Sequence, residues 1–285
     1  MKSGVAALAC AATVGVTNSA SADLFAFEES GPFTVQPEDR SDIVFSSISS
    51  TFDSDTNVLS WEATFEPNSS PSPGNTPEDT LPEGFVLVIN DGPMPKGNVN
   101  QLAVVYFDAD TDPANPIATV YGYNGAESAT SHFQGVSDMF VDPAPGPVQI
   151  ASSLNDPSLL IEGSTTDNPD GTRTLRMVID ATTINEFVPA DPAVNLPGGE
   201  PLEGGYFGIG YSTSIGVWFH PFVTTSAQYG DDGFLLPTID GWNAARADFG
   251  FFDESDLEAQ LVPEPTTALL TLAGGTLFLA RRRKA

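Results

Sequence analysis

The chain of 285 residues carries 38 Asp and Glu against ten Lys and Arg, a formal charge of −28 at neutral pH, with 40% hydrophobic residues and 19 Phe. That apolar content fills a core and excludes wholesale disorder, while so negative a surface repels phosphate backbones and excludes nucleic acid as a partner. The only cysteine is Cys10, so everything downstream lacks a disulfide, thiol chemistry and any thiolate metal site.

Residues 1–22 begin with Lys2, continue through an apolar stretch from Gly4 to Val16 and end on Ala20-Ser21-Ala22 before acidic Asp23. A positive start, an apolar middle and small residues at the end make a secretory signal peptide. Ala20 and Ala22 fit the small pockets of signal peptidase, so the mature chain is expected to start at Asp23. Cys10 follows Ala7-Leu8-Ala9 after too short an apolar run to be a lipid acceptor.

Residues 23–262 read as one exported domain. Leu59, Trp61, Ala63 and Phe65 alternate with polar residues, and so do Leu175, Met177 and Ile179 against Thr174 and Arg176, the period of half-buried strands. Strands are expected over 24–27, 43–52, 57–65, 85–90, 102–108, 117–123, 159–162, 173–180, 206–212 and 215–223. The stretches 53–57 (Asp-Ser-Asp-Thr-Asn) and 167–171 (Asp-Asn-Pro-Asp-Gly) sit between strands as hairpin turns. The 24 Pro and 26 Gly punctuate too often for long helices, and only 182–187 reads as a short one. The fold expected is all-β, an antiparallel β-sandwich or jelly roll, with long loops at 66–82 and 189–205 and no internal repeat or domain boundary. Half of the basic residues and one acid, Glu264, lie in the terminal segments, which leaves the ectodomain 37 acidic and five basic residues.

The tail, residues 263–285, opens on Pro263-Glu264-Pro265, runs uncharged over 266–280 and closes on Arg281-Arg282-Arg283-Lys284. As a helix its uncharged part rises about 22 Å against a hydrocarbon core of about 30 Å, a marginal membrane span helped by snorkelling arginines. The basic cluster stays cytoplasmic and puts 23–262 outside. Val262-Pro263-Glu264-Pro265, an apolar helix containing glycine and a terminal Arg cluster resemble the PEP-CTERM sorting signal. The resemblance covers 262–285 alone. It implies recognition by an exosortase-type enzyme, removal of the tail, and release or attachment in the extracellular matrix of bacteria that make exopolysaccharide, itself a candidate partner.

Candidate chemistry in the ectodomain is sparse. His132 lies in a polar segment and His220 in Trp218-Phe219-His220-Pro221; they are too far apart for a two-His zinc motif on one helix, and no G-x-S-x-G elbow is present. Each reads as a structural or surface histidine, and no catalytic residue is assigned. Glu254, Asp256 and Glu258 would share one face of an extended strand and faintly resemble the acidic signature of laminarinase-like glycosidases, but Ser255 replaces an aliphatic residue and an acidic linker is expected so close to the tail. Trp218, Phe219, Phe222, Tyr121, Tyr123 and Trp242 are either sugar-stacking platforms or core.

Asp108, Asp110 and Asp112 leave an apolar strand at alternate positions, the arrangement from which hard oxygen ligands converge on one calcium ion. The glycine of an EF-type loop is missing, and Thr119 stands where a bidentate Glu would be; the alternative is a solvated acidic turn. The expectation is an exported cell-surface or matrix protein with a non-catalytic structural or binding role. The alternatives are a calcium-dependent, lectin-like carbohydrate-binding module and a polysaccharide-active glycoside hydrolase.

Overall fold

Period-two alternation buries one face of a strand, and two sheets that do this must put those faces together. The computed structural model describes residues 23–33, 43–92, 102–123, 148–187, 208–237, 241–243 and 250–262. Its strands are β1 (Leu24–Phe33), β2 (Val44–Asp53), β3 (Val58–Glu66), β4 (Gly84–Asn90), β5 (Ala103–Asp108), β6 (Ile117–Gly122), β7 (Val148–Ser152), β8 (Leu160–Asp167), β9 (Arg173–Asp180), β10 (Ser214–Phe222), β11 (Ser226–Ala227), β12 (Trp242–Asn243), β13 (Phe252–Glu258) and β14 (Gln260–Val262). A 3-10 turn (Pro77–Thr80) and the helix α1 (Thr182–Asn185) complete the described elements. Two six-stranded antiparallel sheets result, in the orders β14-β1-β2-β3-β9-β8 and β13-β10-β4-β5-β6-β7. The all-β, two-sheet expectation holds.

Both expected hairpin turns form by local chemistry. Between β2 and β3 the Asp53 carboxylate accepts the N–H groups of Asp55 and Thr56 at 3.0 and 3.1 Å, and Asn57 takes a φ of 54°. Between β8 and β9 Asp170 accepts the Thr172 N–H and Gly171 adopts a φ of 90°, the left-handed region that glycine enters without steric cost.

The main core lies between the sheets. Leu59, Trp61 and Ala63 of β3 stand opposite Ile179, Met177 and Leu175 of β9, and all pack against Phe85, Leu87 and Ile89 of β4, Val105 and Phe107 of β5, and Val217 and Phe219 of β10. A second cluster occupies the other face of the second sheet. There Val86, Val88, Val104, Tyr106, Tyr121, Trp218 and Phe222 lie under Ala227, Leu235 and Trp242, with Tyr229 and Phe234 packed beside them, so the β11–β12 ribbon and the described chain that follows β11 cover this face. The second sheet is therefore a middle layer. Burial on both faces explains why 85–89 and 102–107 are continuous apolar runs where β3 and β9 alternate.

Several elements differ from expectation. The run 206–212 is not a strand in its described part: Gly208 and Gly210 take φ of 62° and 151°, which breaks the extended backbone, and only a bridge from Gly208 to Leu102 remains. Residues 254–258 belong to β13 rather than to a linker, because β10 offers them an edge to pair with. The loop 66–82 is ordered by its own polar groups. Asp79 accepts the N–H and hydroxyl of Thr76, and the buried Thr80 hydroxyl donates to the Pro77 carbonyl while accepting the Asn68 N–H. Residues 1–22 with Ala20 and Ala22, the loop 189–205, His132 and the tail from Pro263 to Lys284 lie outside the described residues. No helix among those described is long and apolar enough to cross a membrane.

Candidate functional site

Asp108 closes β5 with its side chain turned toward the second cluster, where it is fully buried. One carboxylate oxygen accepts the N–H groups of Asp110 and Thr111 at 3.0 and 3.1 Å and the Thr225 hydroxyl at 3.2 Å; the other accepts the Tyr229 hydroxyl at 2.9 Å. The same carboxylate thus shapes the turn after β5 and ties it to the covering layer. Burial, followed by the charge of Asp108, pushes the Tyr229 phenol well above its ordinary value.

Asp112 organises the next turn, accepting the N–H groups of Ala114 and Asn115 and the Asn115 side-chain amide, which holds its carboxyl below the usual range. Asp110 lies instead beside Glu83, on whose carboxyl its charge acts. Among the described residues no group of three or more His, Cys, Asp or Glu side chains is placed to hold a metal ion. Asp108 and Asp112 each accept the N–H groups of their own turns, while Asp110 faces Glu83.

Glu83 sits where three segments cross. Its N–H donates to the Phe222 carbonyl and its own carbonyl accepts the Ala109 N–H. Its half-buried carboxyl meets Asp110 on one side and Arg173 on the other, at 3.4 Å, while Arg173 also holds Asp167 at 2.7 Å and the Leu81 carbonyl. Burial, the Asp110 charge and the bond to Asp110 raise the Glu83 pKa to about 7 against the opposing pull of Arg173. Glu83 also lines an open depression with Glu78, Asp79, Val223 and Thr224, acidic on one wall.

The six aromatic candidates are all covered. Phe219 lies in the main core and the other five in the second cluster, each 3% exposed or less; Trp242, for one, sits edge-on to Tyr106 and Phe222. They are packing residues, not sugar platforms. His220 is buried too, bonded to Asp253 at 3.1 Å between the rings of Trp218 and Phe251.

The three acids of β13 do not share a face. A register shift lies between Val217, which pairs with Glu254, and Ile215, which pairs with Leu257. Asp256 inside that bulge has a φ of 55°, so the alternation on which a paired-carboxylate reading depends is lost.

At the far edge of the first sheet, β14 pairs with the start of β1: Leu24 opposes Val262, Phe25 opposes Leu261 and Ala26 opposes Gln260. The two ends of the described chain therefore leave the domain side by side. Sequence reasoning missed β14. Its signal was the β-forming pair Leu261-Val262 stopped by Pro263.

No curated protein and no solved structure matches the chain. Residues 261–284 match the model of the PEP-CTERM protein-sorting motif, two of whose residues are thus strand residues of the folded domain. The chain carries a PEP-CTERM tail, and that tail marks an exported protein sorted to the cell surface by an exosortase-type enzyme.

Proposed function

We propose that the protein is a cell-surface or extracellular-matrix component of an exopolysaccharide-producing bacterium, and that its ectodomain has a structural or binding role without catalysis. The signal peptide delivers it, and the tail holds it in the inner membrane with the ectodomain outside until sorting. The observation that carries this reading is the sorting motif attached, with no intervening linker, to a strongly acidic two-sheet domain. A soluble, highly charged body on a sorting tail suits display in a hydrated matrix. The lectin-like and hydrolase alternatives gain nothing from the described residues, since the candidate rings are covered and the β13 acids diverge.

Two measurements on protein from a sorting host test the reading. N-terminal sequencing is expected to begin at Asp23, and the intact mass of matrix-located protein is expected to lack Arg281, Arg282, Arg283 and Lys284. Replacing those four residues by neutral ones is expected to disturb retention before sorting, because they hold the C-terminus inside. Matrix protein that keeps the Arg cluster makes the tail a plain anchor.

A further inference from the structure

We propose that β14 is a latch on the sorting motif, and that it must leave β1 before the exosortase-type enzyme can act. This rests on the sorting role proposed above and adds to it a control exerted by the folded ectodomain.

The backbone of β14 is engaged. The Ser54 N–H donates to the Asp23 carbonyl across β1 and β2, and in an antiparallel ladder the direction of these bonds alternates along the strand. Leu24 and Ala26 therefore turn their N–H and carbonyl groups toward β14, where Val262 and Gln260 stand opposite them. The matched motif begins at residue 261, so its first two residues are held in this pairing.

Little chain is left for an enzyme to grip. Between Val262 and the uncharged stretch that starts at Thr266 lie only Pro263, Glu264 and Pro265, which span about 10 Å fully extended, and the two prolines have no N–H to offer. An enzyme that reads its substrate as an extended strand needs backbone groups upstream of the prolines, and β1 already occupies them.

The latch is built to open. All three β14 side chains are exposed, and among the described residues the strand pairs on one side only. Ala259 behind it is buried and donates its N–H to the Thr213 carbonyl. Release can therefore stop at residue 260 and leave the buried Ala259 in place, the kind of local opening that edge elements undergo more readily than the whole domain.

The test uses the full-length protein in a sorting host, followed by pulse-chase with intact mass. Ala26→Cys with Gln260→Cys places two thiols at opposed positions outside the matched motif, about 5.5 Å apart at Cα for a hydrogen-bonded pair and within reach of a disulfide. Tail removal is expected to slow about tenfold in the oxidised double variant and to recover with reductant, while each single-cysteine variant behaves as the unmutated protein. Gln260→Pro, which deletes an N–H from the ladder without needing a disulfide, is expected to speed removal severalfold. Equal rates in the locked and unmutated proteins, or no acceleration by Gln260→Pro, overturn the latch. An unmutated protein that never loses its tail overturns the sorting reading itself and the latch with it.

Discussion

Trp61 of β3 and Phe219 of β10 meet across the sandwich with ring centroids 5.0 Å apart. Phe219 also touches Phe45 at 6.0 Å and Phe85 at 5.3 Å, so one side chain joins both sheets. Phe219→Ala is expected to cost about 3–5 kcal/mol through lost burial and the cavity left behind. Urea unfolding of the ectodomain measures this; a loss within 1 kcal/mol, of the order expected at a surface site, would show that the sheets do not close on this residue.

Tyr229→Phe tests the Asp108 knot. It removes one donor from a buried carboxylate that keeps three others, so a loss of about 1–3 kcal/mol is expected. Melting midpoints in calcium and in chelator, at matched ionic strength, are expected to agree, because the acceptors of Asp108 already face protein donors. A midpoint raised by calcium would return Asp108, Asp110 and Asp112 to the role of ligands.

Glu83 makes stability depend on pH in a defined direction. Its folded pKa of about 7 lies above the ordinary 4.5, so the fold favours the protonated form. That stabilisation is full below about pH 4.5 and is lost as pH rises through 7. Glu83→Gln keeps a neutral side chain throughout and is expected to flatten the decline between pH 5 and 8. The difference is on the order of 1 kcal/mol once screening of a carboxyl that is one-third exposed is allowed for. Parallel pH profiles for the two proteins would remove Glu83 as the titrating group.

Gly84 lies where β5 and Thr225 both crowd the backbone of β4. A Cβ there would lie 2.7 Å from the Phe107 carbonyl oxygen and 2.8 Å from the Thr225 methyl carbon, and the first of these is backbone. Gly84→Ala is expected to destabilise by about 1–3 kcal/mol. Gly171→Ala has open space around it and meets only the strain of its φ of 90°, at a cost of about 1–2 kcal/mol. Thermal melts of the two variants separate crowding from backbone strain, provided the tryptophan near-ultraviolet signal changes for Gly84→Ala alone.

Some of this was written locally. Alternation in 57–65 and 173–180 fixes which side chains face inward, because strand geometry repeats every two residues whatever the partner. Asp53, Asn57, Asp170 and Gly171 shape their turns through bonds that span two or three residues, and the sorting motif is read from consecutive residues at the tail. Other features depended on groups far apart in the chain. Runs such as 85–89 show that both faces are buried but not what covers the second, which proved to be Ala227, Leu235 and Trp242, far downstream in the chain. Nothing near Asp108 in sequence announces that its carboxylate meets Tyr229, 121 positions away, and Glu83 titrates near neutrality only because Asp110 and Arg173 are folded against it. The sequence alone determined the address, the strand periods and the turns, since these rest on backbone geometry and neighbouring side chains. The tertiary structure alone decided the third layer, the partners of the buried acids and the pairing of β14 with β1, since burial and long-range hydrogen bonds exist only once distant segments meet.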